Sequence, residues 1–148
     1  MAKGDDILER LIRFGVSVLN ASSTFPKSTA GRHMADQPMR SATAGAPNFA
    51  EARSGESLWD FVRKLGIVRR ELNESYVWLR MLKQVGFGIE ETLLALLHEC
   101  DELCRIIAAS KKTAEGRLKQ DRIGQREFRV QNSELRIRAP CPDGSLRQ

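Results

Sequence analysis

Apolar residues recur at intervals of three and four positions along four segments of this chain, which is the spacing of an amphipathic α-helix. The longest run alternates three- and four-residue steps without a break, through Leu58, Phe61, Leu65, Val68, Leu72, Ser75, Leu79 and Leu82. Such a heptad pattern suits packing against nearly antiparallel neighbours. We therefore predict an all-α fold, an antiparallel up-down four-helix bundle, in which this segment forms the third helix.

The first helix is predicted from Asp5 or Asp6 to about Ser22, where Pro26 soon prevents continuation. Two aspartates suit the positive end of a helix dipole. The apolar positions of this helix are predicted to share one face, and they are Leu8, Leu11, Ile12, Val18 and Leu19.

A second, weaker helix is predicted from Thr29 to Ala52. Its apolar positions are Met34, Met39, Ala42, Phe49 and Ala50. Because it contains Pro38 and Pro47, we expect it to be kinked. Its small residues, such as Gly45, would let a neighbouring backbone come close.

The turn at Gly86-Phe87-Gly88 is short, so the fourth helix must fold back beside the third. This helix opens at Glu90, and its apolar positions are Leu93, Leu97, Cys100, Cys104 and Ile107. Beyond Gly116 the pattern fails. We therefore predict a bundle domain over residues 1–118 and a basic, disordered tail over 119–148. Alternation at Phe128–Val130 and Leu135–Ile137 leaves a hairpin, marginally stable by itself, as the alternative.

Charge and composition narrow the class of protein. The net charge is +5 and the pI about 9.4. Residues 119–148 contribute seven basic side chains against four acidic ones, so the excess of positive charge that is left for the bundle is small. No segment has the apolar length of a membrane span or signal peptide, and three cysteines suggest reduced thiols. We expect a soluble, cytoplasmic protein that does not contact membranes.

Several short motifs occur in a familiar order between Phe25 and Leu118. They are Phe25-Pro26, the segment Arg40–Glu51, Phe61 with Leu65, Glu71-Leu72, and the turn near Gly86. In these the chain resembles the four-helix bundle protein family, the proteins encoded by intervening sequences in bacterial 23S ribosomal RNA genes. Pro38 and the last thirty residues depart from the family pattern.

The resemblance implies an antiparallel up-down bundle without enzymatic activity, assembled with itself as a homo-oligomer such as a ring-shaped homopentamer. A related branch is the accessory variability protein of diversity-generating retroelements, which implies RNA or DNA and a reverse transcriptase as partners. The resemblance also marks three polar residues, Asn48, Glu51 and Glu71. We favour hydrogen bonds around Pro47 as their role, and an acid-base pair or cation site is the alternative.

Neither a cofactor nor a metal is expected. Cys100 and Cys104 stand one turn apart with His98 nearby, but both fall on the apolar pattern, where free cysteine acts as a small hydrophobe. Neither histidine belongs to a Glu-x-x-His pair, which argues against a di-iron site. Phosphate-binding loops of the Walker type, dinucleotide fingerprints and Gly-x-Ser-x-Gly elbows are missing from the sequence, so no catalytic residue is proposed.

Two surfaces are predicted on the second and third helices. The candidate nucleic-acid contacts are Arg32, Arg40, Arg63, Lys64, Arg69 and Arg70, which a solvated face of ion pairs would explain equally well. The candidate oligomer interface lies off the apolar pattern at Trp59, Ile67, Trp78 and Met81.

From these features we expect a non-enzymatic, homo-oligomeric bundle that binds nucleic acid or serves a nucleic-acid enzyme. The alternative is a protein-interaction or structural oligomer with no nucleic-acid role.

Overall fold

The computed structural model describes residues 4–138, with the side chains of residues 4–131. Four helices are present: α1 Asp5–Ser22, α2 Thr29–Arg53, α3 Leu58–Val85 and α4 Glu90–Arg138. Residues 4–138 contain no strand, and the predicted all-α bundle is confirmed. The chain divides into two compact units between Glu115 and Gly116, and each is described by itself. None of the described helices is long and apolar enough to span a membrane.

Contacts between α2 and α3 show that these helices run antiparallel. Ser41 bonds to Ser75, Glu51 bonds to Lys64, and the ring of His33 meets that of Trp78. Residue numbers therefore rise along one helix as they fall along the other. The same order relates α1 to α2, where Asp5 pairs with Arg53 and Gly15 approaches Ala42.

The fourth helix completes the bundle within the first unit. Arg10 of α1 bonds to Glu99 of α4, and Leu72 of α3 accepts a hydrogen bond from Cys100. Helices α1 and α3 are thus each flanked by α2 and α4, so they occupy diagonal positions. Their outward faces point to opposite sides of the bundle.

The heptad pattern of α3 supplies the centre of the core. Leu65, Val68, Leu72, Ser75, Leu79 and Leu82 are buried, whereas Leu58 and Phe61, at the start of the helix, are half-buried. From α4 the buried residues include Leu93, Cys100 and Ile107, as predicted, together with Leu96 and Leu103.

The predicted apolar face of α1 needs correction. Leu11 and Val18 are buried, but Ile12 and Leu19 are 42% and 43% exposed. Phe14 and Ala21 are buried instead, three residues after Leu11 and Val18. The buried face is therefore turned toward Phe14 and Ala21 and away from Ile12 and Leu19, and Gly15 belongs to it where α2 approaches closely.

Helix α2 is continuous through both of its prolines. Pro38 itself is buried, and Gly45 lies against Leu11. The first half of α2 is therefore helical despite Pro38, while the kink stays a prediction. Ala50, predicted as an apolar core position, is exposed, because Phe49 and Ala52 take the buried positions around it.

The helix ends are defined by local hydrogen bonds. The side chains of Ser28 and Ser57 accept from the backbone N–H of Gly31 and Asp60, each at 3.1 Å, and so cap α2 and α3. Gly86 ends α3 with a φ of 76°, and the N–H of Phe87 bonds back to the carbonyl of Leu82.

The described part of the predicted tail is helical. Helix α4 continues through residues 119–138, so the alternative of a hairpin is wrong, and residues 139–148 lie outside the described residues. Every side chain from residue 119 to residue 131 is exposed. A helix without a buried face gains little stability from packing, so the structure is consistent with the predicted disorder of this segment in the free protein.

Candidate functional site

Ion pairs occupy two of the six predicted nucleic-acid contacts. The guanidinium of Arg63 donates to Asp60 Oδ1 at 2.7 Å and lies 5.9 Å from the ring centre of Trp59. The ammonium of Lys64 donates to Glu51 Oε2 at 2.8 Å, which bridges α3 to α2. Paired cations of this kind have less charge to offer a phosphate.

The other four predicted contacts do not form a single patch. Arg32 donates to the backbone carbonyl of Lys27 near the start of α2. Arg40 lines a groove between α2 and α3 together with Glu71 and Glu74. Neither Arg69 nor Arg70 is part of an ion pair among the described residues. These two arginines of α3 are the strongest remaining candidates for phosphate contact.

The three residues marked by the family pattern have different bonding partners. The amide of Asn48 donates to the carbonyl of Ala44 at 2.8 Å. Glu51 is held by Lys64, and the backbone carbonyl oxygen of Glu71 lies 2.9 Å from Ser75 Oγ. Proline at 47 frees the carbonyl of Thr43, four residues earlier, and no described side chain bonds to it. Their proposed role in satisfying that carbonyl stays a prediction.

Cys100 and Cys104 face α3 from α4. Cys100 is buried, and its thiol donates to the carbonyl of Leu72 at 3.2 Å. Its pKa is raised, first by the neighbouring Cys104 side chain and then by burial. The Cys100 side chain in turn lowers the pKa of the half-buried Cys104, and the charge of Arg69 adds to this. No group of three or more possible metal ligands is found among the residues that the structure describes.

Two of the four predicted interface residues are exposed on the outward face of α3. Trp59 is 54% exposed and Met81 is 40% exposed. Ile67 and Trp78 are half-buried, and the Trp78 ring meets the edge of His33 at 6.0 Å. Val77 and Val85, each 55% exposed, lie beside Met81 at four-residue spacing. We call Val77, Met81 and Val85 the α3 outer strip. Trp59 lies about 27 Å earlier along the helix, beyond Arg63 and Arg70, and is not part of this strip.

A second apolar surface lies on α1 and was missed by the sequence analysis. Ile12, Val16 and Leu19 are between 42% and 49% exposed. We call these three residues the α1 outer strip. Their spacing of four and three residues was a usable signal, but Ile12 and Leu19 had been assigned to the core and Val16 was left out.

The groove between α1 and α4 has a mixed character. Its volume is about 710 Å³, and its lining includes Phe14, Leu96, Arg13 and Glu91. On one side Arg10 forms two hydrogen bonds of 2.9 Å with Glu99, and these raise the pKa of Arg10. Since this arginine is already paired with a carboxylate, the groove shows no free charge that would select an anionic ligand.

Comparisons with known proteins show the fold and, through a family model, the family. No curated protein is detectably similar to the chain. A solved structure, that of a protein of unknown function from the S23 ribosomal protein family of Bacteroides thetaiotaomicron, shares the fold with a TM-score of 0.67 and 24% identity. The alignment covers 72% of this chain and 98% of that protein. The family model for 23S rRNA-intervening sequence proteins matches residues 5–109, and the chain therefore belongs to that family.

Proposed function

We propose that the protein is a self-associating, non-catalytic bundle that acts as a binding scaffold for nucleic acid. The observation that carries the proposal is the pair of exposed apolar strips on α1 and α3. Contiguous apolar side chains on the surface of a bundle are typical of sites of association.

The positions of the two strips favour one kind of contact. Since α1 and α3 are diagonal, the two strips lie on different sides of the bundle. The α1 outer strip of one copy can therefore pack on the α3 outer strip of the next. Contacts between unlike surfaces close into a ring when the rotation between neighbours permits it and otherwise give an open filament. A ring is the assembly that the family resemblance implies.

Arg69 and Arg70 supply the nucleic-acid part of the proposal. Both are exposed and free of ion pairs among the described residues. On one copy, two arginines bind phosphates weakly. An assembly repeats them around its surface, and linked weak contacts raise the total affinity without any new interaction. RNA or DNA is the proposed ligand, and a nucleic-acid enzyme such as a reverse transcriptase is a further proposed partner.

Self-association is tested by light scattering on matched variants. Val16→Glu and Met81→Glu each place a charge inside a strip, and we expect both to reduce the measured mass toward the 16.7 kDa protomer. Ser17→Glu and Ala109→Glu add the same charge at exposed positions outside the strips and should keep the parent mass. If both strip variants kept the parent mass, the proposed interface would be wrong.

A titration distinguishes the proposed function from the alternative, a structural oligomer with no nucleic-acid role. Labelled RNA and DNA are added to the protein across a range of salt, because phosphate binding weakens steeply as salt rises. Arg69→Gln combined with Arg70→Gln should weaken binding. Arg63→Gln removes an arginine that is already paired with Asp60 and should weaken it less. A parent protein that binds neither nucleic acid at low salt would establish the alternative.

A further inference from the structure

The second unit contains a helical segment whose side chains are available for binding. We call residues 116–131 of α4 the α4 extension. It contains five basic residues and two acidic ones, and every side chain from residue 119 onward is exposed. The segment also lies beyond residues 5–109, the part matched by the family model. Membership of the family therefore does not indicate what this segment does.

Four of the five basic residues share one face of this helix. Lys119, Arg122, Arg126 and Arg129 follow one another at steps of three, four and three residues. Side chains at such spacing are neighbours on a helix surface. At 1.5 Å per residue the row is about 15 Å long. We call these four residues the basic row.

The basic row has no acidic partners among the side chains that the structure describes. Residues three or four positions from Arg122, Arg126 and Arg129 are all uncharged or basic. Lys119 has Glu115 four positions earlier, but that carboxylate bonds to Lys111 at 3.2 Å. Every ion pair among the described side chains joins residues of the first unit. The charge of the row is therefore uncompensated.

From this arrangement we propose that the basic row binds the phosphate backbone of a nucleic acid. Like charges at this spacing destabilise a helix, and a row of phosphates would remove that repulsion while gaining charge-assisted contacts. Binding would release the counterions condensed on the nucleic acid. The proposal rests on nucleic acid as the ligand class of the proposed function, but it requires neither Arg69 nor Arg70.

The apolar residues of the α4 extension argue against an anionic membrane as the ligand. A helix that lies in a membrane surface needs one continuous apolar face. Phe128, 65% exposed, stands two residues from Val130 and five from Ile123, which places it on a different side of the helix from both. The extension has a continuous basic face but no continuous apolar one.

The test uses the full chain and fluorescence anisotropy with short labelled RNA and DNA, single- and double-stranded, across a range of salt. Vesicles of phosphatidylcholine with phosphatidylserine form a separate arm. One variant replaces all four residues of the basic row by Gln. A second variant, Arg122→Gln with Gln120→Arg, moves one charge to the far side of the helix and keeps composition and net charge unchanged.

If the basic row makes four phosphate contacts, it should contribute about −2.8 to −3.6 to the parent's slope of log affinity against log salt, since each contact adds about −0.7 to −0.9. The variant with all four basic-row residues replaced by Gln, the fourfold variant, should lose that contribution. The variant with Arg122→Gln and Gln120→Arg should lose the part of the slope that comes from one contact. A difference between the affinities for RNA and for DNA would identify the preferred nucleic acid.

Unchanged slopes in both variants would overturn the proposal, as would a parent chain that binds the vesicles and none of the nucleic acids. The arginines of α3 give an independent comparison. If Arg69→Gln with Arg70→Gln abolishes binding and the fourfold variant does not, the basic row is wrong and the proposed function stands. The reverse result would support the basic row and remove the α3 arginines from the proposed function.

Discussion

At the scale of single residues, the structure explains the one polar residue in the heptad pattern of α3. Ser75 is fully buried, and its hydroxyl lies 2.8 Å from the hydroxyl of Ser41 on α2, itself buried. Each serine has one hydroxyl proton, so a consistent arrangement has Ser75 donating to Ser41 and Ser41 donating to the carbonyl of Gln37. The pair satisfies two polar groups inside the core and fixes α2 against α3.

This arrangement predicts a specific pattern of stability losses. Ser75→Ala should lower the free energy of unfolding by about 1 kcal/mol, because it removes the hydrogen bond to Ser41. With Ser41→Ala added, the total loss should be smaller than the sum of the two single losses, since no hydroxyl then remains without its partner. Urea unfolding of the three variants measures these values.

The exposed Ser17 provides the control, because Ser17→Ala removes a hydroxyl that is not buried. Its free energy of unfolding should match that of the parent. Additive losses for Ser41 and Ser75 would show that the two hydroxyls do not interact.

At the scale of elements, the strength of the apolar pattern decides what could be predicted. The α3 pattern has seven uninterrupted steps, and its first position, Leu58, is also the first residue of the helix. In α1 the pattern allowed two faces. The face that is buried contains Phe14 and Ala21, and it includes Gly15, where the nearest atom to a Cβ would be the Ala42 carbonyl oxygen of α2 at 3.3 Å. Contacts of this kind depend on a residue distant in sequence, and periodicity within one helix cannot reveal them.

Two glycines on different helices should respond in opposite directions to alanine. A Cβ at Gly31 would lie 1.9 Å from the backbone oxygen of Pro26, so Gly31→Ala must displace the loop before α2. We expect a loss of about 1–3 kcal/mol in the free energy of unfolding, as for other overpacked sites.

Gly66→Ala is the matched control within α3. Its Cβ would meet only the side chain of Lys111, at an ordinary distance of 3.7 Å. Alanine is the better helix former by roughly 0.5–1 kcal/mol, so thermal unfolding should show a gain of this size. Equal changes in the two variants would mean that the Pro26 contact does not control the start of α2.

At the scale of the whole molecule, charge is arranged differently in the two units. Basic residues of the first unit often meet carboxylates, as Arg10 meets Glu99 and Lys64 meets Glu51. The sequence could identify the basic residues but not these partners, which lie 89 and 13 positions away. The sequence also could not show that Arg63 and Lys64 have carboxylate partners while Arg69 and Arg70 have none among the described residues. The basic row was readable from spacing alone, yet the loss of apolar periodicity after Gly116 had favoured disorder instead.

This difference in charge predicts opposite responses to salt. Side chains at neighbouring positions of the basic row are separated by about 5–6 Å at their Cβ atoms, well inside the screening length of roughly 30 Å at 0.01 M salt and closer to that of about 10 Å at 0.1 M. Raising salt should therefore weaken the repulsion and increase the helical content of the α4 extension. The same increase slightly weakens surface ion pairs such as that between Arg13 and Glu9.

Far-UV circular dichroism of the full chain in a non-absorbing salt should consequently show a rise in helical signal. A chain that ends at Glu115 lacks the basic row and should show a flat or slightly falling signal. The variant with all four basic-row residues replaced by Gln should be insensitive to salt, and already more helical than the parent when salt is low. The contrary result is a helical signal of the parent that does not change with salt and equals that of the variant. It would mean that repulsion between like charges does not limit this helix, because this repulsion is what both the substitutions and the salt remove.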